Sequence, residues 1–370
     1  YLFFSFLEQE NSALNIILPV GISFYTFQSL SYTIDIYRKK IKPTKSFFDF
    51  ALYVSFFPQL VAGPIIRAVD FLPQLESPRK LSRFRLFKGS KLFIFGLFKK
   101  SYIADNLAEF IDFGFANPEI LNALTLLIVT LAYGIQIYCD FSGYSDMAIG
   151  IACIMGYDFK SNFNYPYIAQ NIQIFWRRWH ISLSSWLKDY LYIPLGGNRK
   201  GTMRTYINLL VTMLLGGLWH GASWNFIFWG FWHGLGLSIH RFVEKNNLFK
   251  ISNKNFLPPL INSSLKIFFT LSFVSLGWVF FRASDFNTAL IIINKIIFLG
   301  KGYAFYNPFA IFVIIIFFFH YLALIKSKIY KELFKLDNNG TISIAVKLTM
   351  ALIVIVYKPG DYNPFIYFQF

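Results

Sequence analysis

Two histidines forty residues apart, His180 and His220, are the side chains of this sequence best suited to moving a proton near neutral pH. His220 stands in LLGGLWHGASW (214–224), inside a run from Thr205 to His240 that holds no Asp, Glu, Lys or Arg. An ionisable group in so apolar a segment is costly, and it usually faces the bundle interior or a wet cavity. Desolvation disfavours the charged imidazole, and a neutral ring can accept a proton, which is the task of a general base. The plainer alternative, a histidine hydrogen-bonded to a backbone carbonyl between helices, stays open on these residues alone. His180 lies in WRRWHISLSSW. Taken by itself it reads more simply as a histidine at headgroup level among aromatics. His233, between Trp232 and Gly234, reads as core packing, His240 as interfacial and His320 as a buried, hydrogen-bonded ring.

Other chemistries leave no trace. The sequence has no phosphate-binding glycine loop with its lysine, no HExxH, no GxSxG and no GxGxxG after a strand. Cys139 and Cys153 have apolar or small neighbours and no partner at zinc-ligand spacing, so they read as buried thiols. Asp140 and Asp146 in CDFSGYSDMAIG suggest a glycine-broken helix with an aspartate capping the new start. Two histidines with Arg177 and Arg178 beside one of them suit acyl transfer better than redox or metal work.

The elements that must carry these residues follow from composition. The chain has 370 residues, of which 55% are hydrophobic, 21% aromatic and 15% charged. Soluble domains carry about a quarter charged residues. Forty-six phenylalanines exceed what a water-facing surface hides, so the chain reads as an all-α, polytopic integral membrane protein. The net charge of +16 sits in short clusters between apolar runs, such as RKKIKPTK (38–45), RLFK (85–88), RKGTMR (199–204) and KSKIYK (326–331). The positive-inside rule accounts for these clusters without nucleic acid. Several apolar segments fall short of the roughly 20 residues of a clean crossing, which predicts roughly nine to eleven spanning or re-entrant helices around a cavity or tunnel. The aromatic, basic stretch 160–204, with Trp176, Trp179 and Trp186, suits helices lying at the interface. Basic residues flank the 205–240 run on both sides, Arg199, Lys200 and Arg204 before it and Arg241, Lys245 and Lys250 after. That pattern predicts a segment that enters the membrane and returns, with Gly216, Gly217 and Gly221 bracketing the turn and His220 at its depth. No repeat or linker divides the chain, so residues 1–370 read as a single domain.

At these residues the sequence resembles the membrane-bound O-acyltransferase family, in its bacterial alginate and peptidoglycan O-acetylation branch. The motifs are LPVGISFYTFQSLSYTIDIYR (18–38), FFPQLVAGPIIR (56–67), YCDFSGYSDMAIG (138–150), FWRRWHISLSSWLKDYLYIPLGGNRKG (175–201), LLGGLWHGASWNFIFWGFWHG (214–234) and FIYFQF (365–370). The family's usual helices before the first motif are expected to be absent from this chain, which begins with Tyr. The resemblance implies that His220 is the catalytic histidine and His180 the second active-site residue, both approaching a tunnel through the bundle. It implies acetyl transfer from a cytoplasmic thioester, acetyl-CoA, to an extracytoplasmic polysaccharide, peptidoglycan or alginate, with no resident cofactor or metal. Trp176, Arg177, Arg178 and Arg199 are the candidates to meet the donor and its phosphates. A periplasmic acetyltransferase partner, surrounding membrane lipid and a bacterial cytoplasmic-membrane location follow from the same resemblance. The alternatives are a D-alanyl or other acyltransferase of cell-envelope polymers, a scaffold that docks a periplasmic enzyme, and a transporter built on a broken-helix bundle.

Overall fold

A computed structural model describes residues 21–60, 63–246, 258–324 and 341–357. Residues 18–20 and 61–62 of the first two motifs, Lys250, the 326–331 cluster and the final FIYFQF lie outside the described residues. Within the described residues the regular structure is helical, and a lone backbone bridge joins Leu121 to Tyr303.

The principal helices are α1 (Ile22–Tyr37), α2 (Phe47–Ser55), α3 (Arg83–Leu97), α4 (Asp105–Ala116), α5 (Ala123–Ile154), α6 (Ile172–Arg178), α7 (Ile181–Leu187), α8 (Thr202–His220), α9 (Trp224–Lys245), α10 (Pro259–Arg282), α11 (Phe286–Ile297), α12 (Ile311–Leu324) and α13 (Thr341–Tyr357). Wide-turned π stretches, Phe98–Ala104 and Lys188–Tyr192, follow α3 and α7. Polar N-caps start several helices. Asn122 receives the Thr125 amide at 2.9 Å, Asn171 that of Ile174 at 2.8 Å and Asp285 that of Thr288 at 2.9 Å, each supplying an acceptor for an end amide that lacks an intrahelical partner.

Helix α5 is the axis of the core. Its 32 residues span about 48 Å at 1.5 Å per residue, and Tyr133, Ile135, Ile137, Cys139 and Phe141 along it are fully buried. The expected break in CDFSGYSDMAIG does not occur, because α5 runs unbroken through Asp140 and Asp146. The glycines there serve contact with α3. A Cβ on Gly143 would stand 2.7 Å from the Gly96 carbonyl oxygen, and one on Gly96 2.5 Å from the Gly143 oxygen. The backbones touch, and only glycine permits that. Neither aspartate caps a helix. Asp146 pairs with Lys99 at 2.5 Å, and Asp140 with Lys100 at 2.8 Å; Lys100 also meets Asp105 at 2.6 Å.

Helices α8 and α9 form the expected out-and-back hairpin. Lys245 Nζ donates to Thr202 Oγ1, so the two basic ends of the hairpin lie side by side. Residues 221–223 make the turn, while Gly216 and Gly217 remain inside α8. A Cβ on Gly217 would fall 2.2 Å from the Phe226 carbonyl oxygen, so this glycine sets close helix approach and not a bend.

Stretch 160–204 differs from its expectation. Trp176, Trp179 and Trp186 are buried at 8%, 2% and 4% exposure and point into the core, not toward a headgroup layer. Their partners explain the burial: Trp179 stacks on Phe175 at 5.7 Å and meets Trp278 of α10 at 5.0 Å, while Trp186 meets Phe27 of α1 at 4.4 Å. Among the described residues two helices are long and apolar enough to cross a membrane, Ala123–Ile154 and Leu260–Arg282, and three shorter apolar helices accompany them. Leu260, Ile261, Leu265, Phe268 and Phe269 stand exposed on α10, an apolar exterior of the kind that lipid or another apolar surface covers.

Candidate active site

The C-terminal residue of α8 is His220. Its ring is walled by Trp219 at 4.7 Å, Phe281 at 4.9 Å and the Trp229 edge at 5.1 Å, centroid to centroid. Each wall has its own support. Trp229 sits one helix over on α9, Phe281 closes α10, and Asn225 Nδ2 donates to the Ala283 carbonyl at 2.8 Å, tying the start of α9 to the end of α10. His220 nevertheless keeps part of its surface accessible, beside the exposed Ala222–Trp224 turn.

His180 is buried, at 1% exposure, between α6 and α7. Its backbone is left-handed at φ 40°, a conformation that costs a branched or bulky residue of order 1–3 kcal/mol. Asn162, from the loop after α5, holds that geometry. Its carbonyl accepts the Ile181 amide at 2.9 Å, and its Oδ1 accepts the Ser182 amide at 3.1 Å and the Ser182 hydroxyl at 2.9 Å. Asn162 Nδ2 donates to Ser145 of α5 at 3.1 Å, which turns Oδ1 toward the imidazole. His180 Nδ1 lies 3.3 Å from that Oδ1. The acceptor fixes the tautomer: Nδ1 carries the proton and Nε2 the lone pair. Nε2 has no hydrogen-bond partner among the described residues.

The two histidines border one aromatic core: His180 meets Phe141 at 4.5 Å, and His220 meets Phe281 at 4.9 Å. Rings connect them through Phe163, Trp179, Trp278 and Trp229 (His180 to Phe163 6.4 Å, Phe163 to Trp179 5.1 Å, Trp179 to Trp278 5.0 Å, Trp278 to Trp229 6.1 Å). The buried indole N–H groups of Trp176, Trp229 and Trp278 also lack partners among the described residues, so this apolar region holds donors for a polar guest.

The other sequence candidates fall in three places. Trp176 is a wall residue, 5.8 Å from Trp229 and 5.2 Å from His233. Arg178 is half-buried and donates to the Tyr165 carbonyl at 3.3 Å. Arg177 and Arg199 are exposed and stand apart from the aromatic core. His233 is fully buried among Trp176, Trp229 and Trp278, as core packing requires, although neither nitrogen has a partner among the described residues. His320 Nδ1 donates to the Ile316 carbonyl at 2.9 Å, in line with a buried, bonded histidine. Both cysteines are buried free thiols. Asn162 is a site residue that the sequence does not mark. Its only signal is a polar residue in SNFN, which looks like any loop.

The family model described as MBOAT, membrane-bound O-acyltransferase family, matches residues 37–281, which include both histidines. The probable alginate O-acetylase AlgI of Pseudomonas aeruginosa is 48% identical over 287 residues, covering 77% of this chain and 52% of that protein. The peptidoglycan O-acetyltransferase of Helicobacter pylori is 42% identical over 311 residues, covering 77% and 58%. The teichoic acid D-alanyltransferase of Bacillus subtilis is 26% identical over 297 residues, covering 77% and 74%. The chain spans about half the length of the alginate relatives it matches.

Proposed function

Because the chain belongs to the membrane-bound O-acyltransferase family, we propose that it acts in O-acetylation of an extracytoplasmic polysaccharide, peptidoglycan or alginate. In this reading it is a multi-pass protein of the bacterial cytoplasmic membrane. It takes acetyl from cytoplasmic acetyl-CoA and serves a periplasmic acetyltransferase partner or the glycan itself. The observation that carries the reading is the partly accessible imidazole of His220, walled by Trp219, Trp229 and Phe281.

The step is ordinary acyl transfer. The ring of His220 takes the proton of the attacking hydroxyl as its oxygen bonds to the thioester carbonyl carbon. The C–S bond then breaks, and the thiolate leaves with the proton that His220 returns. With its proton on Nδ1, His180 offers a lone pair at Nε2. That tautomer suits an acceptor that orients the incoming hydroxyl and does not suit a donor that polarises the carbonyl.

Radiolabelled acetyl transfer by the purified, lipid-reconstituted protein tests the reading. Unlabelled acetyl-CoA should compete, whereas a D-alanyl thioester that competes better would favour the reading suggested by the 26% teichoic acid relative. Solute uptake with no acyl transfer would overturn both. Asn162→Ala is expected to lower turnover by about 10²-fold, the scale of loss when a reacting group is displaced by an ångström, with little change in donor KM. An unchanged turnover would remove Asn162 from the site.

A further inference from the structure

Three cations converge on one phenol ring away from the histidines. The guanidinium carbons of Arg67 and Arg38 lie 5.1 and 5.5 Å from the Tyr190 ring centroid, and Lys40 Nζ lies 5.9 Å from it. The residues come from three separate segments: the end of α1, the loop that leads to Ala68, and the π stretch after α7. Two carboxylates answer them. Asp189 takes Arg67 at 2.7 Å, and Asp35 sits 3.6 Å from Lys40 while accepting the Tyr190 hydroxyl at 2.6 Å. Arg38 donates to the Asp189 backbone carbonyl at 3.1 Å. Among the described residues, three positive charges stand against two negative ones at this ring. Arg67 Nη2 is shielded from solvent and has no hydrogen-bond partner among the described residues, which leaves a guanidinium donor unused.

This cluster is joined to the active site. Tyr190 meets Trp186 at 5.0 Å, Trp186 meets Phe27 at 4.4 Å, Phe27 meets Trp219 at 5.2 Å, and Trp219 meets His220 at 4.7 Å. A line of aromatic rings therefore leads from the surplus positive charge to the catalytic imidazole. A thioester donor has the same two ends, a phosphate-bearing head and a reactive acyl group at the tip of a long arm. An arginine with a free N–H suits phosphate, because the planar guanidinium makes two charge-assisted bonds to one oxyanion.

We propose that Arg38, Lys40 and Arg67, gathered around Tyr190, bind a phosphate group of the thioester donor, with its acyl arm directed along the Trp186, Phe27 and Trp219 rings toward His220. The assignment rests on the acetyl-transfer reading above, and its test separates the two. KM is measured for acetyl-CoA and for S-acetyl-N-acetylcysteamine, a thioester without phosphate, using wild type, Arg67→Gln and Arg38→Gln. Loss of one charge-assisted contact should raise KM for acetyl-CoA by about tenfold or more and leave KM for the phosphate-free donor within about twofold. Arg38→Gln leaves the Arg67–Asp189 pair intact, so it gives the answer if Arg67→Gln folds poorly. Equal effects on both donors, or no effect on either, would overturn the site. Titration of CoA itself onto wild type and variants needs no turnover. If wild type transfers no acetyl but binds CoA, and the variants bind it about tenfold less tightly, the site stands and the reaction assignment falls. If wild type does not bind CoA, the site falls. Each comparison is repeated in nanodiscs of phosphatidylcholine alone and of phosphatidylcholine mixed with phosphatidylglycerol. A variant effect confined to the anionic discs would mean that the bound phosphate belongs to a lipid headgroup, which also overturns the assignment.

Discussion

His220→Ala should lower acetyl transfer by about 10²- to 10⁴-fold, the usual contribution of a positioned general base, with the protein still folded. The two halves of this expectation rest on different features. Activity falls because no neighbouring side chain replaces the ring: Trp219, Trp229 and Phe281 are aromatic walls with no strong base among them. The fold survives because His220 is the last residue of α8, half-buried beside an exposed turn, so truncation opens space at an edge and not in the packed centre. Labelled transfer in parallel with thermal unfolding in detergent checks both. Full activity in a well-folded His220→Ala protein would end the case for this imidazole as the base. It would also favour a scaffold that merely docks a periplasmic enzyme.

The largest stability effect is expected away from the site, at Lys100. Its ammonium, with the side chain only 7% exposed, joins Asp105 at 14% and Asp140 at 4%. Lys100→Met removes the cation and leaves two shielded carboxylates facing each other. Breaking a buried pair from one side typically costs about 3–5 kcal/mol, because the remaining charge has lost its compensation. The exposed pair Lys160–Asp70, at 85% and 44%, is the contrast, and Lys160→Gln should cost no more than about 1 kcal/mol. Denaturation midpoints of the two variants measure the difference. Similar midpoints would mean that the Lys100 cluster is as well hydrated as the surface pair.

How much of this was legible in the sequence depends on the range of the interaction concerned. The α8–α9 hairpin could be read because basic residues at both ends of an uncharged run are a local pattern, and the Lys245–Thr202 contact agrees with it. His220 stood out for the same reason, as a lone ionisable group in an apolar run. Asp140 and Asp146 misled, since glycine and serine beside an aspartate look like a break when read along one chain. Their partners Lys99 and Lys100 lie more than a helix away, and Gly143 is small because another backbone crosses there. Trp beside Arg is an interfacial pattern that points the tryptophans of stretch 160–204 outward, yet Trp278 and Phe27 give them an inner home that no local window contains. Asn162 and the Tyr190 cluster were invisible for the same reason, being assembled from distant segments.

The positive φ of His180 bears on how that residue can be studied. Alanine would delete the ring while keeping a side chain on a backbone that disfavours one, so two effects would arrive mixed. Glycine is at ease in that region of the map and leaves a ring-shaped vacancy between Phe141 and Asn162. Free imidazole diffusing into His180→Gly could then restore the missing heterocycle, which would let its chemistry be titrated separately from its place in the chain.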